Sequence, residues 1–142
     1  MRNLLLLVLM AVFFVGCGAK GPQFTEFKQV EADKSLLYVY RESVLAGGGV
    51  FYDIHVDTQD TNTTIGTLKH GGYLEAVIEP NIKTEIWAKT EAKETLTITP
   101  KAKEIYCVKG GLGIGFFVGH PKLSLVDLET CKKEIAKTQL SQ

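Results

Sequence analysis

The stretch Tyr52-Asp53-Ile54-His55-Val56-Asp57 decides the fold class of this chain. Apolar and polar side chains alternate along it, which is typical of a strand with one buried and one exposed face. Similar short segments follow at intervals of roughly 8–12 residues, separated by turn signals, as in all-β sandwiches and barrels. These segments are 36–40, 64–68, 73–78, 83–90, 95–99, 105–109 and 112–118.

The end of the chain has a different period. Leu125, Leu128, Cys131 and Ile135 recur at helical spacing, and Asp127 is placed to cap a helix there. The sequence therefore predicts an all-β fold: a small antiparallel β-sandwich or barrel-like domain with a short C-terminal helix.

The first residues form a separate unit. A basic start, Met1-Arg2-Asn3, precedes an unbroken apolar run from Leu4 to Val15. A secretory signal has this order of charge and apolar stretch, with small residues at the cut site. The run is too short to span a bilayer, which takes about 20 apolar residues. Residues 1–16 are therefore predicted to be a signal peptide.

The end of that run, Phe14-Val15-Gly16-Cys17, resembles the signal of bacterial lipoproteins. The resemblance implies that Cys17 is acylated and becomes the first residue of the mature chain. Gly18 stands where lipoproteins retained at the inner membrane have an aspartate, which implies the periplasmic face of the outer membrane. The alternative is an ordinary secretory signal in which the cysteine occurs by chance.

The mature chain divides into two parts. Residues 17–34 are polar and lack an apolar period, so they are predicted to be the lipidated N-terminus and a tether. Residues 35–142 are predicted to form a single β-rich domain, a size that suits one core. Without Arg2 the chain has 15 basic and 16 acidic side chains. So balanced a charge provides no field to attract nucleic acid, and no such partner is expected.

Two cysteines remain after Cys17. Cys107 and Cys131 would lie outside the cytoplasm, where disulfides persist, so a disulfide and two free thiols are both open. A catalytic thiol is the least favoured alternative, because no motif brings a histidine to either cysteine.

Several short motifs follow one another in order along the domain. They are Tyr38-Val39-Tyr40-Arg41, residues 52–57, residues 65–73, Ala88-Lys89-Thr90-Glu91 and Gly115-Phe116-Phe117-Val118 before Pro121. Their order resembles an uncharacterised bacterial lipoprotein family, domain of unknown function 2846, from about Ser35 to Ile135. The resemblance implies a small β-sandwich-like lipoprotein domain and brings no activity with it.

One face of the second predicted strand carries Asp53, His55 and Asp57. Carboxylate and imidazole ligands suit zinc or a similar divalent ion. The trio is therefore a weak candidate metal site, and the simpler interpretation is a solvated strand face. No cofactor is predicted.

The glycine-rich run 110–115 does not continue into a phosphate-binding helix, since Phe116 and Phe117 extend a predicted strand. Its alternation places Gly113 and Gly115 on one face, which favours packing or bending over a ligand groove.

Arg41 ends an apolar row on its predicted strand. An arginine at such a position suits a carboxylate or an aromatic ring, and we expect an internal partner rather than an external ligand. Tyr40 and Arg41 join the two glycines as candidate ligand or partner contacts.

These features predict a protein anchored to the membrane through Cys17 and facing the periplasm. The expected role is a non-enzymatic binding or structural module that contacts an envelope protein or a glycan. The alternative function is a small metal-dependent hydrolase that uses Asp53, His55 and Asp57.

Overall fold

The computed structural model of this chain describes residues 18–45 and 47–141. The predicted signal peptide and Cys17 lie outside the described residues. The described residues form two sheets with the strand orders β8-β7-β1-β4-β9 and β3-β2-β5-β6. The elements are β1 (Ser35–Tyr40), β2 (Tyr52–Asp57), β3 (Asn62–Leu68), β4 (Gly72–Ile78), β5 (Thr84–Lys89), β6 (Lys93–Ile98), β7 (Ile105–Gly113), β8 (His120–Val126), α1 (Leu128–Ile135) and β9 (Gln139–Leu140).

This architecture confirms the predicted all-β fold with a short C-terminal helix. The two sheets pack face to face as a sandwich and do not close into a barrel. Most neighbouring strands are antiparallel, but β1 runs parallel to β7, and β4 runs parallel to β9. Alternation in β2 is as predicted: Tyr52, Ile54 and Val56 are buried between the sheets.

The central strand β1 is buried on both faces. Leu37 and Val39 point into the core between the sheets. Tyr38 and Tyr40 point the other way, into a second apolar cluster with Ile135 of the helix. All six residues of β1 are buried because one face is covered by the second sheet and the other by α1 and the N-terminal segment.

The helix begins as the sequence predicts. Asp127 is its N-cap, and its Oδ1 accepts a hydrogen bond from the backbone N–H of Thr130 at 2.8 Å. The predicted helical period was wrong at its start, because Leu125 lies in β8, an additional strand. Leu125 precedes Leu128 by three residues, as a helical residue would, but it belongs to the strand. The spacing of apolar residues alone does not distinguish the two cases.

The segment 18–34 differs from the predicted tether, because it lies against the domain. The backbone N–H of Ala19 donates to the carbonyl of His70 at 3.0 Å, and that of Phe24 donates to Thr138 at 2.9 Å. Phe24 is buried, and its ring contacts those of Tyr38 and Tyr73 edge to face. From Ala19 onward, this segment is therefore a part of the folded domain.

Cys107 of β7 and Cys131 of α1 are joined by a disulfide in the structure, with the Cα atoms 6.1 Å apart. Both residues are buried in the second cluster, beside Tyr38 and Tyr40. The bond fastens the helix to the face of the five-stranded sheet that it covers.

Removal of this disulfide provides a test of its contribution. A Cys107→Ala, Cys131→Ala double variant should lose about 3–4 kcal/mol of unfolding free energy, because a bridge over this separation restricts the unfolded chain. Urea unfolding measures the loss. Leu128→Ala, at an exposed position of the same helix, is the control and should change stability by less than about 0.5 kcal/mol. Equal stability of the double variant and the unaltered protein would contradict the expected role.

Candidate functional site

The side chains of Asp53, His55 and Asp57 lie on the outer face of the second sheet, and each has a partner on a neighbouring strand. Thr67 donates to Oδ1 of Asp53 at 2.6 Å. The hydroxyl of Thr64 lies 2.9 Å from Nδ1 of His55. These hydrogen bonds connect β2 to β3, so the polar face has a structural use.

Trp87 contacts two members of this trio. Its ring stacks on that of His55 with the centroids 3.8 Å apart, and its Nε1 donates to Oδ2 of Asp57 at 2.7 Å. The ammonium of Lys93 lies 4.2 Å from the centre of the same ring. Within the described residues, no group of three His, Cys, Asp or Glu side chains is arranged to hold a metal ion. The geometry therefore offers no support for the metal site.

Arg41 has an internal partner, but it is a loop backbone and not a carboxylate. The side chain is buried, and the guanidinium donates to the carbonyls of Val50 at 2.5 Å and Gly47 at 2.7 Å. It also lies 5.8 Å from the centre of the Tyr52 ring. Burial lowers the pKa of Arg41 from its ordinary value, and the two carbonyls compensate for lost hydration. Arg41 thus holds the loop that follows β1.

Tyr40 does not share a surface with Arg41, because neighbouring residues of a strand point to opposite faces. Its ring is fully buried, and its hydroxyl donates to the carboxylate of Glu134 in the helix. Burial and this hydrogen bond raise the pKa of Tyr40 well above its ordinary range. Lys109 bridges Glu134 and Glu42 beside it. The prediction that Tyr40 contacts a ligand conflicts with this buried position.

The two candidate glycines are found where the predicted strand 112–118 is interrupted. Strand β7 ends at Gly113, and residues 114–119 form a hairpin that leads into β8. A Cβ at Gly113 would lie 2.5 Å from Nε2 of His120, and one at Gly115 would lie 2.4 Å from Cα of Gly119. Gly115 needs glycine because the backbone of Gly119 folds back against it, whereas the atoms close to Gly113 belong to the side chains of His120 and Lys122, which cover it. The two glycines therefore do not form the smooth glycine face of a groove.

The side chain of Glu91 holds this hairpin by binding the backbone of the hairpin. Its carboxylate accepts hydrogen bonds from the N–H groups of Phe116 at 2.8 Å, Val118 at 2.7 Å and Phe117 between them. These bonds, that from Val118 above all, hold the pKa of Glu91 below its ordinary value. With its amides directed inward, the hairpin presents its side chains to the outside: Phe116 is 88% exposed and Phe117 is 84% exposed.

A second loop presents apolar side chains at the same end of the molecule. Strands β1 and β7 are parallel neighbours, so the loops that follow them leave the same end of the sheet. The loop after β1 lies against the last part of β7, just before the hairpin, since a Cβ at Gly47 would lie 2.7 Å from a methyl group of Leu112. We refer to the exposed apolar residues of both loops as the apolar tip: Val44, Leu45, Phe51, Ile114, Phe116, Phe117 and Val118.

Sequence reasoning missed the apolar tip, although a signal for it exists. Residues 43–52 and 110–119 contain no Asp, Glu, Lys or Arg, in a chain where such residues make up 23%. The second run has the composition of a strand, so its exposure follows only from the contact with Glu91. A group of exposed apolar side chains at one end of a domain is typical of an interaction surface, and the tip is the candidate functional site.

Comparison with known proteins adds no relative for this chain. A scan against protein-family models found no match, and neither did a search of curated proteins. The resemblance to the lipoprotein family therefore stays a prediction. Among the residues that the structure describes, no helix is both long enough and apolar enough to cross a bilayer.

The contact between Glu91 and the hairpin predicts a pH response. The ionised Glu91 carboxylate stabilises the folded state. This stabilisation is complete above the ordinary glutamate pKa of 4.5 and declines as the pH falls through the lower pKa of Glu91 in the folded state. In NMR titrations from about pH 7 to pH 3, the amide shifts of Phe116, Phe117 and Val118 should move together below pH 4.5. Glu91→Gln should abolish this step and Glu94→Gln should preserve it. An identical titration in the Glu91→Gln variant would contradict the assignment.

Proposed function

We propose that this protein is a lipid-anchored lipoprotein of the cell envelope, whose domain is a non-enzymatic binding or structural module. The anchor is Cys17, and the domain faces the periplasm from the outer membrane. Its partner is an envelope protein or a glycan.

The disulfide between Cys107 and Cys131 supports the location of this proposal. Disulfides form and persist in oxidising compartments such as the periplasm, and they are rare in the cytosol. Both cysteines are buried and already close a contact between sheet and helix. They therefore fit a chain that is exported by the predicted signal peptide.

The engagement of the polar side chains supports the non-enzymatic role and is the observation that carries it. A catalytic acid, base or ligand needs a free face toward its substrate. Asp53, His55 and Asp57 each form a hydrogen bond to a neighbouring strand, and the guanidinium of Arg41 binds the loop after β1. The side chains that the sequence offers as candidates are thus engaged in contacts within the domain.

The anchor is tested by replacing its cysteine. Cys17→Ser in the full chain should move the protein from the membrane fraction to the soluble periplasmic fraction. Several acyl chains anchor a protein stably, and the variant has no cysteine at position 17 to carry them. Fractionation and immunoblotting measure the change. Lys20→Ser, three residues away, is the control and should stay in the membrane fraction. Membrane retention of the Cys17→Ser variant would refute the anchor.

The binding role is tested by crosslinking in cells with a lysine-specific reagent. Of the 16 basic side chains, 14 are lysines and the other two are Arg2 and Arg41; no lysine lies in the two runs of the apolar tip. The reagent therefore reports partners of the remaining surface. We expect mass spectrometry to identify one abundant protein partner, or, after glycan-directed capture, one glycan. Many weak crosslinks without a dominant species would count against a specific binding role.

A further inference from the structure

The described chain begins at the end of the domain that carries the apolar tip. The backbone N–H of Ala19 donates to the carbonyl of His70, just before β4. Strand β4 is antiparallel to β1, and Tyr73 near its start pairs with Tyr40 at the end of β1. The start of β4 and the end of β1 therefore lie side by side at one end of the sheet. Ala19 lies at the same end of the domain as the loop after β1.

Contacts continue from this start to the hairpin. A Cβ at Gly18 would lie 3.1 Å from the carbonyl oxygen of His70, and one at Gly48 would lie 3.7 Å from the His70 ring. Gly47, the next residue in the loop, approaches Leu112 of β7. Gly18, the loop after β1 and the hairpin after β7 thus form one continuous end of the molecule.

The chain between Ala19 and the proposed lipid is short. Cys17 precedes Ala19 by two residues in the sequence, and a fully extended chain covers at most about 3.6 Å per residue, or roughly 7 Å in all. Ala19 is buried, and the backbone N–H groups of Ala19, Gly21 and Phe24 donate hydrogen bonds to the domain, so the chain is fixed from Ala19 onward. A lipid on Cys17 would hold this end of the domain against the bilayer surface.

The chemistry of the tip suits that surface. Phe116 and Phe117 pack edge to face, with ring centroids 4.7 Å apart, and both are exposed. Apolar side chains of interfacial segments are buried about 5–10 Å into the boundary between headgroups and acyl chains. The backbone amides of the hairpin are satisfied by Glu91, which removes donors that would otherwise lose water without a partner.

We propose that the apolar tip inserts into the headgroup region of the membrane that carries the Cys17 lipid. The inference rests on the proposed lipidation and adds an orientation to it: the tip faces the lipid, and the end with the turn between β4 and β5 faces away. The domain is then docked on the membrane at two points, the acyl chains and the exposed loops.

Fluorescence of single-tryptophan variants tests the orientation. Both variants are full chains with Trp87→Phe, purified in detergent and reconstituted in phosphatidylcholine vesicles. One carries Phe117→Trp in the tip. The other carries Ile82→Trp at an exposed site in the β4–β5 turn, at the opposite end, and is the matched control. Circular dichroism establishes that each variant is folded.

The expected result is a difference between the two variants. When the vesicle lipids carry bromine near the top of the acyl chains, the Phe117→Trp variant should lose emission and its spectrum should be blue-shifted relative to detergent. The Ile82→Trp variant should show equal emission in brominated and plain vesicles. Equal emission of the Phe117→Trp variant in both vesicles would overturn the inference. Quenching of both variants alike would also overturn it, because the domain would then have no fixed orientation.

The mass of the purified chain separates the two proposals. Acyl mass on Cys17 together with an unquenched Phe117→Trp variant would reject the docked tip and leave the anchor intact. A chain without acyl mass would reject the anchor and the inference that rests on it. A blue shift without bromine quenching would show that a second copy of this chain covers the tip, which again overturns the membrane assignment.

Discussion

The structure depends on the burial of β1 from both sides. Leu37 and Val39 are covered by the second sheet, whereas Tyr38 and Tyr40 require a second cover on the outer face of their own sheet. That cover consists of α1, fastened through Cys131, and of the segment around Phe24. A strand whose two faces are both apolar cannot be accommodated in a simple two-layer sandwich, and the third layer follows from it.

The pairing of β1 also determines where the exposed loops are found. Its parallel neighbour β7 and its antiparallel neighbour β4 bring two loops and the first described residues to one end. Arg41 and Glu91 then hold those loops through backbone groups. Two charged side chains are thus used to keep an uncharged surface in shape.

The sequence was informative where a pattern is local. Alternation in β2 and the cap at Asp127 depend on neighbouring residues, and both were predicted. The hairpin at 114–119 depends on Glu91, which is 25 residues distant from Phe116, so its composition alone indicated a strand. The segment 18–34 also escaped prediction, because a covering segment held by isolated backbone hydrogen bonds has no apolar period to detect.

The hydrogen bonds between the two ends of the chain have a consequence for biogenesis. Gly21 donates to the carbonyl of Leu140, and Leu140 donates to that of Pro22, so the first part of the domain pairs with the last. Contacts so distant in sequence form late and slowly. If the chain is exported as proposed, the N-terminal segment would cross the membrane first and find its partners only when residues near 140 have followed. Completion of the fold would then coincide with completion of translocation.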